Sequence, residues 1–165
     1  MIETTADKAT TEIRGLLVDG QAPSDLVAGT LERRLREELE IFSARAGLEV
    51  EFHCDIGPHS LPVKVEREIY FALREGVINA IRHARTSELK LSLSQKGNIC
   101  TAILQDNGSG FDLTAAQSST HYGLRIMKER IQNVGGRFVV KTAPGKGTRI
   151  SITVPVDQKA SVGML

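Results

Sequence analysis

Two pairs of alternating segments constrain this chain more than any other feature of it. Leu89, Leu91 and Leu93 alternate with Glu88, Lys90 and Ser92, and after a turn at Lys96, Gly97 and Asn98 an apolar strand pattern resumes over 99–105. Alternation puts the apolar residues on one face of a strand. So short a turn between two such runs makes an antiparallel hairpin. A second pair closes the chain: 137–142 and 148–154 flank the turn Pro144–Gly147, with Ile150, Ile152 and Val154 alternating with Arg149, Ser151 and Thr153. An earlier strand over 48–55 sets Leu48, Val50 and Phe52 against Glu49, Glu51 and His53, and Gly57 and Pro58 turn it. The order of elements is therefore α, β, α, β, β, loop, α, β, β, which is not the alternation of a doubly wound sheet. It predicts an α+β domain: a two-layer α/β sandwich whose mixed, largely antiparallel sheet is covered by helices on one face. A ligand would then lie between the helix layer and a loop, not at a topological switch point.

The helices read less sharply. Residues 1–20 are helical around Ile13, Leu16 and Leu17 before a break at Asp19, Gly20 and Pro23. Three apolar residues make a face but no core, so this segment is expected to end some other element. A second helix is predicted over 24–46, with Ser24 as N-cap, Leu31, Leu35, Leu39 and Phe42 on its apolar face, and Gly47 as its stop. A third, over 64–84, gathers Ile69, Ala72, Leu73, Gly76, Val77 and Ala80 in one arc. Glycine in mid-helix costs about 1 kcal/mol relative to alanine, so Gly76 is expected where a neighbouring backbone comes close. A polar loop over 112–122 leads into a short helix over 123–134 that Gly135 and Gly136 end. The tail after Pro155 is expected to fray.

Composition excludes several classes. The 165 residues carry a formal net charge of +1 with acids and bases interspersed, which argues against bulk binding of nucleic acid or of an anionic membrane. Tryptophan is absent and aromatics are only 4%, too few for a base-stacking platform. Cys54 and Cys100, the two cysteines, lack metal-ligand spacing and are expected as reduced thiols. No apolar run approaches the ~20 residues of a transmembrane helix. The domain is expected to be cytoplasmic without touching the membrane itself, whether or not a longer protein is anchored.

Two motifs carry the chemistry. On the third helix Glu75, Asn79 and Arg82 or His83 fall at i, i+4 and i+7 or i+8, and so on one face. A carboxylate, an amide oxygen and a cation there suit a hydrated Mg²⁺ and the phosphate oxygens of a nucleotide. Arg82 and His83 equally suit the negative end of the helix dipole as simple caps. Downstream, Asp106 ends an apolar strand and is followed by Asn107, Gly108, Gly110 and Phe111. A buried carboxylate there would accept the exocyclic amine of adenine; the rival reading is an Asx turn. Gly108 and Gly110 admit positive φ. Gly123, read as a helix start, would offer free N–H groups to phosphate, beneath a lid containing Ser118, Ser119 and Thr120. Gly145, Lys146, Gly147 and Thr148 form a hairpin turn and not a P-loop, because no helix follows. Thr148 remains within reach of the base pocket.

These motifs resemble the sequence boxes of sensor histidine kinases, of the nitrate/nitrite-sensor type. Arg74–Ala84 resembles the N box, Asp106–Phe111 the first glycine box and His121–Arg130 the second, while Gly145–Thr148 closing with Pro155 matches the final strand pair. The likeness covers about 24–156. It implies a Bergerat-type ATP-binding fold that binds Mg²⁺ and ATP and gives the γ-phosphate to a histidine. By position, Asn79 would coordinate Mg²⁺ and Glu75 would act as general base or organise water. Asp106 would read adenine. Gly108, Gly110, Tyr122, Gly123, Leu124 and Thr148 would shape the pocket and lid, with Arg82 and His83 near the phosphates.

None of the four histidines, His53, His59, His83 and His121, has the acceptor context of such kinases. Residues 1–22 are therefore expected to be the remnant of a dimerisation helix and linker, 23–156 the catalytic domain and 157–165 a flexible tail. The acceptor would come from a histidine-bearing dimerisation domain, with a response regulator as the final recipient. The full kinase would be a homodimer and this chain alone a monomer. The main alternative is an anti-sigma-type serine kinase on the same fold. A gyrase-like or mismatch-repair-like ATPase and a non-catalytic nucleotide sensor are further rivals.

Overall fold

Each alternating run becomes a strand, and the strands assemble in an order the hairpins alone do not dictate. The computed structural model describes residues 30–83, 85–115 and 119–157. The elements are α1 (Leu31–Ala46), β1 (Glu49–Asp55), α2 (Val63–His83), β2 (Glu88–Lys96), β3 (Ile99–Asp106), α3 (Ser119–Gln132), β4 (Arg137–Thr142) and β5 (Thr148–Pro155). The expected helix over 1–20, the Ser24 cap and the tail from 158 onward lie outside the described residues. The five-stranded sheet has the order β1-β2-β3-β5-β4. β1 runs parallel to β2, and every other pairing is antiparallel. This is the expected mixed sandwich, with α2 serving as the crossover between the two parallel strands.

The three described helices pack on one face of the sheet. Leu89, Leu91, Ile152, Ile69, Leu73 and Met127 form its fully buried centre. α1 stops where Gly47 turns left-handed at φ 66°, and its N–H reaches the Ser43 carbonyl at 3.0 Å. Glu38 ties α1 to α2 by accepting from the Tyr70 hydroxyl at 2.9 Å and from Arg74 Nε at 2.6 Å. Burial first, and then the Glu38 charge, push the Tyr70 phenol up to about 12. Arg130 ties α3 to α2, pairing with Glu68 at 3.2 Å and lying 4.9 Å over the Phe71 ring.

Gly76 has its reason in this packing, though not the one expected. A Cβ there would sit 2.6 Å from Leu104 Cδ2 and 3.2 Å from Ile150 Cδ1, so sheet side chains, not a neighbouring backbone, demand the glycine. Gly76→Val should lower stability by about 2 kcal/mol despite a better helix propensity, because overpacking a closed core outweighs that gain. Chemical denaturation would read the loss directly. Both cysteines are free, and burial pushes the Cys100 thiol up to about 12. No described helix is long and apolar enough to cross a membrane.

Candidate functional site

The polar face of α2 meets α3 across a glycine. A Cβ on Gly123 would lie 3.0 Å from Glu75 Oε1 and 3.3 Å from Asn79 Nδ2, so the glycine brings α3 tight against both side chains, and any larger residue would make them give by a few tenths of an ångström. Gly123 does not open the helix, however. α3 begins at Ser119, which places Gly123 in its second turn with its N–H committed to the helix. The reading of Gly123 as a free N-terminus for phosphate is therefore corrected. The loop expected over 112–122 shortens accordingly: Ser119 and Thr120 are helical, and Ser118 lies outside the described residues. The extra turn is held by tertiary contact, since His121 meets Phe111 edge to face at 5.8 Å and 83°.

Along α2 the site is prepared but incompletely satisfied. Asn79 Nδ2 and Arg82 Nε are buried and lack a hydrogen-bond partner among the described residues. Orphaned polar groups of this kind are uncommon in a finished core, and they fit a site that a polar ligand completes. His83 ends the helix, where partial burial, reinforced by the Arg82 charge, lowers its imidazole below the usual 6.5. It is therefore mainly neutral near pH 7 and offers a hydrogen bond more than a charge.

Asp106 stands on the same inner face of β3 as Leu104, the residue that packs on Gly76, so it faces the last turns of α2. It is only 8% exposed. Burial raises its carboxyl above the ordinary 3.8, while N–H groups of Gly108 and Thr148 hold it down. The Gly108 N–H donates to Oδ1 at 2.8 Å, which is the Asx turn. The Asx turn and the buried carboxylate thus coincide in one residue.

The loop after Asp106 interlocks with the β4–β5 turn. Gly110 (φ 59°) lies so near the Ala143 carbonyl, and Gly147 (φ 67°) so near the Asp106 carbonyl, that a Cβ at either would collide with backbone. Gly108 serves instead through its N–H. Thr142 Oγ1 receives the Phe111 N–H at 3.1 Å, donates to the Gly147 carbonyl at 2.9 Å and contacts Thr148 Oγ1 at 3.1 Å. Thr148 is opposite Asp106 in register. The remaining predicted residues separate: Leu124 is buried in the core, whereas Tyr122 is 61% exposed with Arg125 5.5 Å over its ring. A cavity of about 360 Å³ opens between α2 and α3, lined by Phe71, Arg74, Glu75, Tyr122, Gly123 and Arg130 among others.

One residue at the rim has a role that its place in the Asp-Asn-Gly turn did not suggest. Asn107 Oδ1 accepts from Thr86 Oγ1 at 2.8 Å and from the Ser87 and Glu88 N–H groups at 3.0 Å each, and its Nδ2 donates to Ser87 Oγ at 3.0 Å. It ties the α2–β2 connection to the loop that carries Asp106. Asn107→Ala should destabilise the fold by about 2 kcal/mol, since several partners lose their bond at once, and should speed amide exchange at 86–88. Thermal melts and hydrogen exchange would read the two effects.

A helix layer over a mixed sheet, with a polar α2 face and a buried carboxylate at a strand end, defines an ATPase-type sandwich. Residues 64–158 match the family described as "Histidine kinase-, DNA gyrase B-, and HSP90-like ATPase", and the chain belongs to it. It is 32% identical over 156 residues to the sensor histidine kinase LiaS of Bacillus subtilis, covering 94% of this chain and 42% of that one. It is 31% identical over 123 residues to the histidine-protein kinase/phosphatase DegS of Brevibacillus brevis, covering 74% of this chain and 31% of that one. The chain thus spans less than half the length of these relatives. Among solved structures, the histidine kinase domain of the blue-light activated kinase of Erythrobacter litoralis shares the fold at TM-score 0.64 and 19% identity, covering 97% of this chain and 79% of that one. The histidine kinase AdeS of Acinetobacter baumannii does so at 0.62 and 16%, covering 92% and 76%. Family membership makes ATP the expected nucleotide and does not favour the serine-kinase alternative.

Proposed function

We propose that this domain holds Mg²⁺ and ATP and passes the γ-phosphate to a histidine on a dimerisation domain, from which a response regulator receives it. The observation that carries this reading is the convergence of Glu75 and Asn79 on Gly123, with Asp106 buried at the neighbouring strand end. Asn79 would hold Mg²⁺, and the orphaned amide of Asn79 and guanidinium Nε of Arg82 fit a phosphate-bearing ligand. When bound, the ion supplies charge neutralisation on the phosphate oxygens. Asp106 accepts the adenine amine, with Thr148 and Gly108 fixing its carboxylate. Arg82 and His83 face the phosphates, the first as a cation and the second as a neutral donor.

Glu75 lines the cavity between α2 and α3, the route by which an acceptor imidazole reaches the site, and would orient or deprotonate it. Tyr122 stands at that mouth, and Leu124 anchors α3 beneath it. Glu75→Gln should leave nucleotide affinity intact and slow transfer about 10²-fold; a pure affinity loss would make Glu75 structural. The whole reading is tested by calorimetric titration with a non-hydrolysable ATP analogue, with and without Mg²⁺ and with GTP as control. Transfer to a separately supplied histidine-bearing helix pair follows. Mg²⁺-assisted, adenine-selective binding with transfer is expected. Binding without any transfer would favour a nucleotide sensor instead.

A further inference from the structure

Arg74 and Glu75 adjoin on α2 and both line the cavity between α2 and α3, yet they are not paired with each other. Arg74 is held by Glu38 of α1 instead, through Nε alone at 2.6 Å. The other Glu38 oxygen accepts from the Tyr70 hydroxyl at 2.9 Å, so both oxygens of that carboxylate are engaged. A guanidinium fastened only to a carboxylate commonly forks onto it with two nitrogens. Here neither terminal nitrogen of Arg74 bonds a described residue, and neither is buried away from solvent. The arginine on the opposite wall is committed: Arg130 pairs with Glu68 at 3.2 Å and lies 4.9 Å over the Phe71 ring. Glu75 forms no ion pair among the described residues. The cavity therefore holds a carboxylate and, beside it, a guanidinium gripped from behind with its two outer nitrogens unengaged.

We propose that Arg74 is a catalytic cation of phosphoryl transfer, its terminal nitrogens meeting the oxygens of the γ-phosphoryl group in flight, and that Glu38 is the positioning residue that aims it. This rests on the reading of the α2–α3 cavity as the acceptor's route. In the transfer step the acceptor imidazole nitrogen bonds to the γ-phosphorus as the bond to the β,γ-bridging oxygen breaks. ADP leaves with that electron pair, and Glu75 takes the imidazole N–H proton. Arg74 makes and breaks no covalent bond. Its charge stabilises the equatorial oxygens while the phosphoryl group is between the two partners, where a fixed cation is most effective. Glu38 also keeps Arg74 off Glu75. A pair between those two neighbours would neutralise the base and occupy the cation at once. The Tyr70 hydroxyl, bonded to the same carboxylate, restrains Glu38 in turn.

Transfer by the full chain to an excess of separately supplied histidine-bearing helix pair tests this, with the ATP analogue titrated into every variant. Arg74→Ala should lower kcat about 10²-fold or more, with the acceptor KM and the analogue affinity each within about threefold of wild type. Millimolar guanidinium should recover at least about tenfold of the loss and leave the wild type unchanged, because the free cation fills the vacated place. Glu38→Gln keeps an acceptor for Tyr70 but loses the charge that holds Arg74. It should lower kcat about tenfold alone and cost nothing further when combined with Arg74→Ala. Wild-type kcat in Arg74→Ala overturns the proposal and leaves the acceptor route standing. A raised acceptor KM at unchanged kcat overturns it too, making Arg74 a docking contact for the acceptor helix. A rate loss that only follows analogue affinity, or that guanidinium does not restore, makes the Glu38–Arg74 pair a tether between helices. Additive losses in the double variant overturn the positioning role of Glu38. A wild type that binds the analogue and transfers nothing overturns the acceptor route and this proposal together.

Discussion

Asn79→Ala is expected to remove at least about 10²-fold of the phosphotransfer rate while making the domain slightly more stable. The two effects have one origin. Asn79 is a poor helix former in the interior of α2, and its buried Nδ2 has no hydrogen-bond partner among the described residues. Alanine therefore loses no observed bond, escapes an unsatisfied polar group and gains roughly 0.5 kcal/mol of helix propensity. A residue kept against the interest of the fold is a sign of chemistry. The loss should be one of metal dependence: the variant's transfer should respond little to added Mg²⁺. Asn79→Asp should also fail, by setting a second carboxylate about one helical turn from Glu75. Transfer assays over a Mg²⁺ series, beside thermal melts, measure both halves. Transfer at the wild-type rate in either variant would remove Asn79 from the metal role.

Asp106→Asn should weaken ATP binding by about 10²-fold and abolish the preference for ATP over GTP, because an amide nitrogen then confronts the adenine amine. Without nucleotide the same variant should melt higher than the wild type at neutral pH. Burial raises the Asp106 carboxyl, and the Gly108 and Thr148 N–H groups only partly offset it. A carboxyl whose folded-state pKa is raised stabilises the fold while protonated, and that contribution is lost as pH rises through the folded value. The ionised aspartate thus works against the fold at neutral pH, and asparagine carries no such penalty. The advantage of the variant should shrink as pH falls and vanish below the ordinary 3.8. Melting curves across that range read the sign. Equal ATP and GTP selectivity in variant and wild type would take Asp106 out of base recognition.

Local periodicity exposed most of the framework. The alternation around Leu89 to Leu93 and Ile150 to Val154 found both hairpins, and Gly47, Gly97 and Gly135 each take the positive φ expected of a stop or turn. The span of α2 was legible because Ile69, Ala72, Leu73, Gly76, Val77 and Ala80 keep a helical period along it. The start of α3 was not legible. Ser119, Thr120, His121 and Tyr122 have little helix propensity of their own, and a packed ring, Phe111 on His121, supports that turn. The four hydrogen bonds of Asn107 were hidden for a similar reason. Its partners lie some twenty residues away, beyond any local pattern.

The sequence by itself determined the layer architecture, the hairpins and the chemical inventory of the site, because each depends on spacing within one element. The tertiary structure alone decided the parallel pairing of β1 with β2, the approach of Gly123 to Glu75 and Asn79, and the interlock of Gly110 with the β4–β5 turn. It also decided that the acids of β1 and the bases of β4 stand on opposite edges of the sheet. These depend on which elements meet, and that is set by burial and close packing of the whole core, where no single segment carries the information.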